Sequence, residues 1–408
     1  MERTNEIPAE KLWTRDFILL AAANGMMFFG FQMLLTTLPV YVREFGGSNA
    51  EVGWIIGIFT FVALLARPFA GWALDTVPKK RVLLFGLVFC LIAVGLYGWA
   101  GAVVFVLLVR VVHGFGFGIS TTTFGTIVSD IVPPSRRGEG VGYFGLAATL
   151  AMTVGPVGGL TIMDMYGFDA LFAVSFGSTA AALLMSTLLH GPGKATDVHT
   201  APAETAAAVS ADAKPVNWTE RIVERRALFP ALLMLLICSA YGGVVTFITL
   251  YGEERALENV GWFFTTNALC LFLVRPVAGR LFDRQGHIWV LLPGAVSGFI
   301  GMLILSYATS TWILIMSAVF FGIAFGAIQP SLQAWVINRV PAHRRGTANA
   351  TLFSAVDLGF GVGSVVLGPV ADLTGSFAAM YRISSLPFVV FIAVYLFYNS
   401  RINKLSRK

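Results

Sequence analysis

The chain has 408 residues, of which 56% are hydrophobic and 12% charged, with 28 Lys and Arg against 22 Asp and Glu and a formal charge of +6. A water-soluble chain of this length carries about 25% charged residues, so the composition excludes an ordinary soluble globular protein. The mean hydropathy of +0.77 points the same way.

Taken in chain order, windows of about 20 apolar residues predict twelve membrane-spanning helices. In the first half they lie at 16–38, 52–74, 82–100, 102–129, 140–163 and 169–190. In the second half they lie at 228–251, 260–281, 288–307, 311–336, 346–371 and 377–399. Each is continuously apolar rather than alternating, which favours helices over a barrel. The first run leads on into further spans without a small-residue cleavage site and is read as a membrane helix, not a signal peptide. Cys90, Cys238 and Cys270 fall inside predicted helices, far apart, and read as small core residues with no disulfide or metal site.

Charge then orients the chain. With a cytoplasmic N-terminus, one side collects Arg3, Lys11, Arg15, the PKKR turn (78–81), Arg136, Arg137, the central linker, Arg280, Arg284, Arg339, Arg344, Arg345 and the basic tail, whereas the opposite loops hold Arg43 and Arg255. The positive-inside rule places both termini in the cytoplasm. This bias accounts for the net charge without a nucleic-acid partner.

The chain also repeats itself. ARPFAGWALD (66–75) returns as VRPVAGRLFD (274–283), an offset of 208 residues. The same offset aligns VPPSRRG (132–138) with VPAHRRG (340–346), Gly114 and Gly118 with Gly322 and Gly326, and Asp164 and Gly167 with Asp372 and Gly375. Two copies of a six-helix unit follow, and an even number of spans per copy makes them parallel repeats about an axis along the membrane normal. The expected organisation is an all-α integral membrane protein. A bundle at 1–190 and a bundle at 227–408 are joined by a polar, Ala- and Pro-rich linker at 191–226, with NWTERIVERRALFP (217–230) ending it as a short amphipathic surface helix.

These phrases resemble the major facilitator superfamily over essentially the whole chain. GWALDTVPKKR (71–81) keeps the Gly71, Asp75 and basic Lys79 of that family's loop between helices 2 and 3, with Thr76 and Pro78 where arginine and glycine are usual. GRLFDRQGH (279–287) keeps Gly279, Asp283, Arg284 and Gly286. The resemblance implies a cytoplasmic gate built from Asp75, Lys79 and Asp130 in the first copy and from Asp283 and Arg284 in the second. The second is expected to be weaker, because Asn338 stands where the first copy has Asp130. The alternative is that these charges anchor loops at lipid headgroups.

LLVRVVHGFGFG (107–118) resembles the family's helix-4 motif, in which an arginine is tied to proton coupling. Arg110 has Ala318 as its repeat partner, and a membrane-embedded arginine is costly enough to be functional or paired. His113 follows it either as a titrating group or as a hydrogen-bonding one. VGPVGG (154–159) resembles the helix-5 motif of drug:proton antiporters, one residue shorter than the usual form; Gly155, Pro156, Gly158 and Gly159 permit a bend and close helix approach. FGFQMLLTTLPVYV (29–42) resembles the helix-1 motif of the same group.

Among the carboxylates Asp357 lies deepest, about 16 Å along its span from Gly346 at 1.5 Å per residue, with Thr149 as its counterpart. It reads either as the site of proton and substrate exchange or as a structural hydrogen-bonding group. In the resembled fold helices 1, 4, 7 and 10 line the central path, which nominates Asn24, Gln32, Thr36, Tyr241, Thr246, Gln329, Gln333 and Trp335 as substrate contacts.

The expected function is a proton-coupled exporter working by alternating access, without a cofactor. It is expected as a monomer, multi-pass in a bacterial plasma membrane, with small molecules and protons as its cargo. Multidrug efflux is one reading. Dedicated export of a metabolite such as an opine-type metallophore is the other, since ANATLFSAVDLGFGVGS (348–364) also resembles such exporters. An uptake symporter is a further rival. No Gly-x-x-x-x-Gly-Lys-Ser/Thr stretch is present to suggest an ATP-driven pump, and the dispersed deep polar groups argue against a membrane enzyme.

Overall fold

The computed structural model describes residues 11–133, 136–190, 224–341 and 344–405; the linker expected at 191–226 lies almost wholly outside them. The helices are α1 (Arg15–Glu44), α2 (Asn49–Thr76), α3 (Lys79–Tyr97), α4 (Val103–Ile131), α5 (Arg137–Thr187), α6 (Leu228–Glu254), α7 (Gly261–Gln285), α8 (Ile288–Ser306), α9 (Thr311–Ile337), α10 (Arg345–Thr374), α11 (Phe377–Ile383) and α12 (Leu386–Leu405). A 3-10 turn, Arg225–Ala227, leads into α6.

Among the described residues eleven helical segments are long and apolar enough to cross a membrane. Two details depart from the expected spans. The fifth and sixth meet without a loop in the 51-residue α5, where Gly167 breaks the helical backbone at φ 78° and ψ −178°. Glycine tolerates that positive φ without a Cβ clash, so one residue redirects the chain. The last span is split between α11 and α12, where the Ser385 hydroxyl donates to the Arg382 carbonyl at 2.6 Å.

The described residues divide into two compact units, one from Met1–Tyr41 with Val62–Gly191, the other from Val42–Phe61 with Pro192–Lys408. In the first, α3 packs on α4 and α5. In the second, α6 packs on α10, and α9 packs between α7 and α8. The second unit also contains the first turns of α2, whose backbone amides at Asn49 and Ala50 donate to the Asp372 carboxylate of α10 at 3.2 and 2.9 Å. A carboxylate at a helix start satisfies otherwise orphaned amides and complements the dipole.

The repeat is visible in the packing. A Cβ on Gly118 would come within 2.4 Å of the Ala63 carbonyl, and one on Gly326 within 3.0 Å of the Leu271 backbone, positions related by 208. The Tyr41 hydroxyl donates to the carbonyls of Tyr97 and Ala100 at 3.2 and 3.0 Å. Tyr251 does the same to Leu305 and Ala308 at 3.0 and 3.2 Å. The acceptors again differ by 208, so each copy ties the end of its first helix to the end of its third.

Candidate functional site

The first unit buries a polar cluster. Val103 opens α4, so Arg110 and His113 sit seven and ten residues inside it, about 10 and 15 Å along its axis. Arg110 is 0% exposed and His113 3%. Tyr97, the last residue of α3 and also fully buried, brings its hydroxyl to 3.2 Å from His113 Nδ1 and lies beside the Arg110 guanidinium. Phe31 of α1 closes the site, edge-on to His113 and packed against Phe117. A buried guanidinium needs acceptors around it because desolvating the charge is expensive, and a phenol oxygen is one such group.

Asp357 lies in the second unit. It is half-buried, twelve residues into α10, and sits close enough to Cys238 of α6 to act on it electrostatically. One turn further along α6 an aromatic group gathers round Tyr241, which stacks on Phe321, packs on Phe325 at 4.4 Å and meets Phe360 edge-on. The Asn267 side-chain amide donates to the Tyr241 hydroxyl at 3.4 Å. Tyr241 and Asp357 therefore occupy adjacent turns of two helices packed together.

The other nominated lining residues divide between the units. Asn24, Gln32 and Thr36 are buried on α1 of the first, and the Thr36 hydroxyl bonds to the Met33 carbonyl of its own helix. In the second, Thr246 bonds to Gly242 and to the Ser364 hydroxyl at 2.8 Å. Gln333 bonds to Asn349, and Gln329 is half-buried on α9. Trp335 packs among aromatic side chains near the end of α9, stacked on His287 at 4.3 Å and beneath Arg339.

The residues expected to form the gate show a contrast between the copies. Lys79, the first residue of α3, forms an ion pair with Asp130 near the end of α4, inside the first unit. Lys80 beside it donates to the Thr187 and Leu189 carbonyls, occupying the negative end of α5. Asp75 falls in the last turn of α2. In the second copy Asp283 and Arg284 end α7 exposed, and His287, which aligns with Lys79, bonds through Nδ1 to the Tyr395 hydroxyl instead. Burial, with the charge of Arg339 adding to it, holds the His287 imidazole below its usual pKa.

The helix-5 motif sits on the α5 face that meets α1. A Cβ on Gly155 would lie 2.6 Å from Gln32 Cβ and one on Gly159 2.9 Å from the Met33 backbone, whereas Gly158 faces Phe29 at ordinary distance. Pro156 is buried and the helix runs on through it. These glycines bring the two backbones together, as small residues do between membrane helices.

Sequence reasoning missed Tyr97 and the His287 stack. The signal for Tyr97 was present: Tyr97, Arg110 and His113 align with Leu305, Ala318 and Phe321, three polar residues matched by three apolar ones.

Comparison with known proteins agrees with this architecture. An MFS-type transporter of Methanocaldococcus jannaschii is 24% identical over 90% of this chain and 94% of that protein. The staphylopine export protein of Staphylococcus aureus is 23% identical over 90% of this chain and 91% of its own length. The quinolone resistance protein NorA of the same species is 22% identical over 85% and 88%. Among solved structures, the nucleoside transporter NupG superposes with a TM-score of 0.70 at 15% identity, covering 94% of this chain and 99% of that one. A POT family transporter in complex with 5-aminolevulinic acid gives 0.74 at 15%, covering 95% and 96%; at these identities the likeness speaks to the fold. The sequence profile of the Major Facilitator Superfamily matches residues 20–259 and again 255–407, and the chain belongs to that superfamily of membrane transporters.

Proposed function

We propose that this transporter is a proton-coupled exporter of small molecules that works by alternating access. The reading rests on Asp357, a carboxylate half-buried midway along a membrane helix where the first copy has Thr149. A carboxylate at that depth is costly without a cation or water beside it, so it can exchange a proton for cargo. Export is the direction named for the staphylopine relative, and quinolone resistance is what is named for another. Counting α5 as two crossings at Gly167 gives twelve, in bundles at 1–190 and 227–408 joined by 191–226, with both termini cytoplasmic in a bacterial plasma membrane. Arg110 and His113 assist the proton path. Asp75, Lys79, Asp130, Asp283 and Arg284 hold the cytoplasmic side, and the Gly155–Gly159 stretch is the hinge of a drug:proton antiporter. The protein acts as a monomer, and the proton gradient replaces any cofactor.

Multidrug efflux is the first reading of the cargo, with Tyr241 and its aromatic neighbours receiving flat or cationic compounds near Asp357. Dedicated metabolite export is the second, favoured by the staphylopine exporter's match across 90% of the chain. The test compares cells producing the wild type with cells producing Asp357→Asn. Mass spectrometry of spent medium reads the cargo, and ethidium uptake into inverted vesicles reads coupling. A discrete compound secreted only with the wild type identifies a metabolite exporter, and gradient-driven ethidium uptake identifies a drug exporter. Flux that keeps its full pH dependence in Asp357→Asn removes the acid from the mechanism.

A further inference from the structure

The two copies provide an internal control for the cluster around His113. Both keep the tether from a tyrosine hydroxyl to the end of the third helix, through the carbonyls of Tyr97 and Ala100 in one and of Leu305 and Ala308 in the other. Those bonds use the backbone of residue 97 and are indifferent to its side chain. In the second copy that side chain is leucine, and the residues matching Arg110 and His113 are Ala318 and Phe321, buried at 0% and 1% exposure. The helix packing therefore forms without any of the three polar groups. The Tyr97 hydroxyl is surplus to the scaffold, yet it is buried 3.2 Å from His113 Nδ1 and beside Arg110.

A phenol has one proton and two lone pairs, so it can donate to or accept from an imidazole nitrogen. We propose that Tyr97 is a positioning residue for the transport cycle: its hydroxyl, 3.2 Å from His113 Nδ1, fixes the imidazole in one orientation through that nitrogen. The titratable groups around the ring are Arg110 on its own helix and, from α3, Tyr97 with Cys90 behind it; α1 presents Phe31. The role of the cluster in moving protons rests on the exporter reading above, whereas the Tyr97–His113 geometry does not.

The test is Tyr97→Phe in the full-length protein, which removes the hydroxyl and leaves the Tyr41 tether to the backbone in place. With 15N-labelled histidine, the His113 resonances are assigned by their loss in His113→Phe. The expected result is that Tyr97→Phe moves the His113 Nδ1 resonance while the other histidine signals stay put. Proton-driven ethidium efflux falls about fivefold, the scale of one neutral buried hydrogen bond. In the His113→Phe background, Tyr97→Phe should cost less flux than it does in the wild type. An unmoved His113 Nδ1 resonance overturns the proposal. Wild-type flux indifferent to the proton gradient defeats the exporter reading instead, and the resonance still decides the role of Tyr97.

Discussion

The two copies solve the same packing problem with different chemistry. At the end where α3 begins, the first copy joins Lys79 to Asp130 by an ion pair whose side chains remain 33% and 46% exposed. At the matching end of α8 the second copy stacks His287 on Trp335 and bonds it to Tyr395. An exposed ion pair is worth little and is screened by salt. A buried aromatic stack is worth several kcal/mol and is insensitive to salt. The interiors differ in the opposite sense: the first copy buries Tyr97, Arg110 and His113 where the second has Leu305, Ala318 and Phe321. The copy with the weakly held end thus also carries the costly polar core. On the exporter reading, the first copy brings easy release and the Arg110–His113 cluster, and the second brings a firmer frame around Asp357.

The largest expected effect comes from giving the first copy the second copy's residue. Arg110→Ala should cut gradient-driven flux about 100-fold, the scale of disabling one proton-transfer step, while the protein still folds, because the second copy packs its helices with Ala318 at that position. Flux within twofold of wild type would erase the functional difference between the interiors. Next, Trp335→Ala should destabilise the second unit by about 3 kcal/mol, read as a lowered thermal midpoint in detergent. A loss no larger than that of an exposed pair would remove the contrast between the two ends.

A pH effect sharpens the same comparison. The folded protein holds His287 below its usual value of 6.5, through burial and then Arg339, so the unfolded chain binds a proton that the folded one refuses. Stability from this site is complete above pH 6.5 and falls as pH drops through the histidine range. His287→Phe keeps the ring and removes the titration, so melting curves between about pH 7 and 5.5 should flatten; an unchanged slope places the acid sensitivity elsewhere. The smallest effect belongs to Lys79→Ala or Asp130→Asn, about 0.5 kcal/mol and vanishing in high salt. A salt-independent loss above about 2 kcal/mol would show the pair to be desolvated and the two ends to be alike.

Much of this protein follows from sequence alone. Long apolar windows locate the helices because a chain in hydrocarbon must satisfy its amides within each segment. The 208-residue offset reveals two copies because equivalent helix contacts demand equivalent residues, as Gly118 and Gly326 illustrate. The depth of Arg110 and Asp357 follows from residue counting along a helix. The partners of those residues were decided only in three dimensions. Tyr97 meets His113 across sixteen residues and two helices, and nothing in their spacing sets the rotation of α3 against α4 that brings hydroxyl to imidazole. Trp335, nominated as a pathway residue, stacks on His287, because the start of α8 packs against the end of α9. Gly167 reads in sequence as the close of a loop, yet its positive φ joins two spans directly. Sequence fixes which stretches must be helical and buried, through local hydrogen bonding and hydropathy; which polar side chains meet depends on helix rotation and close packing, which only the tertiary structure settles.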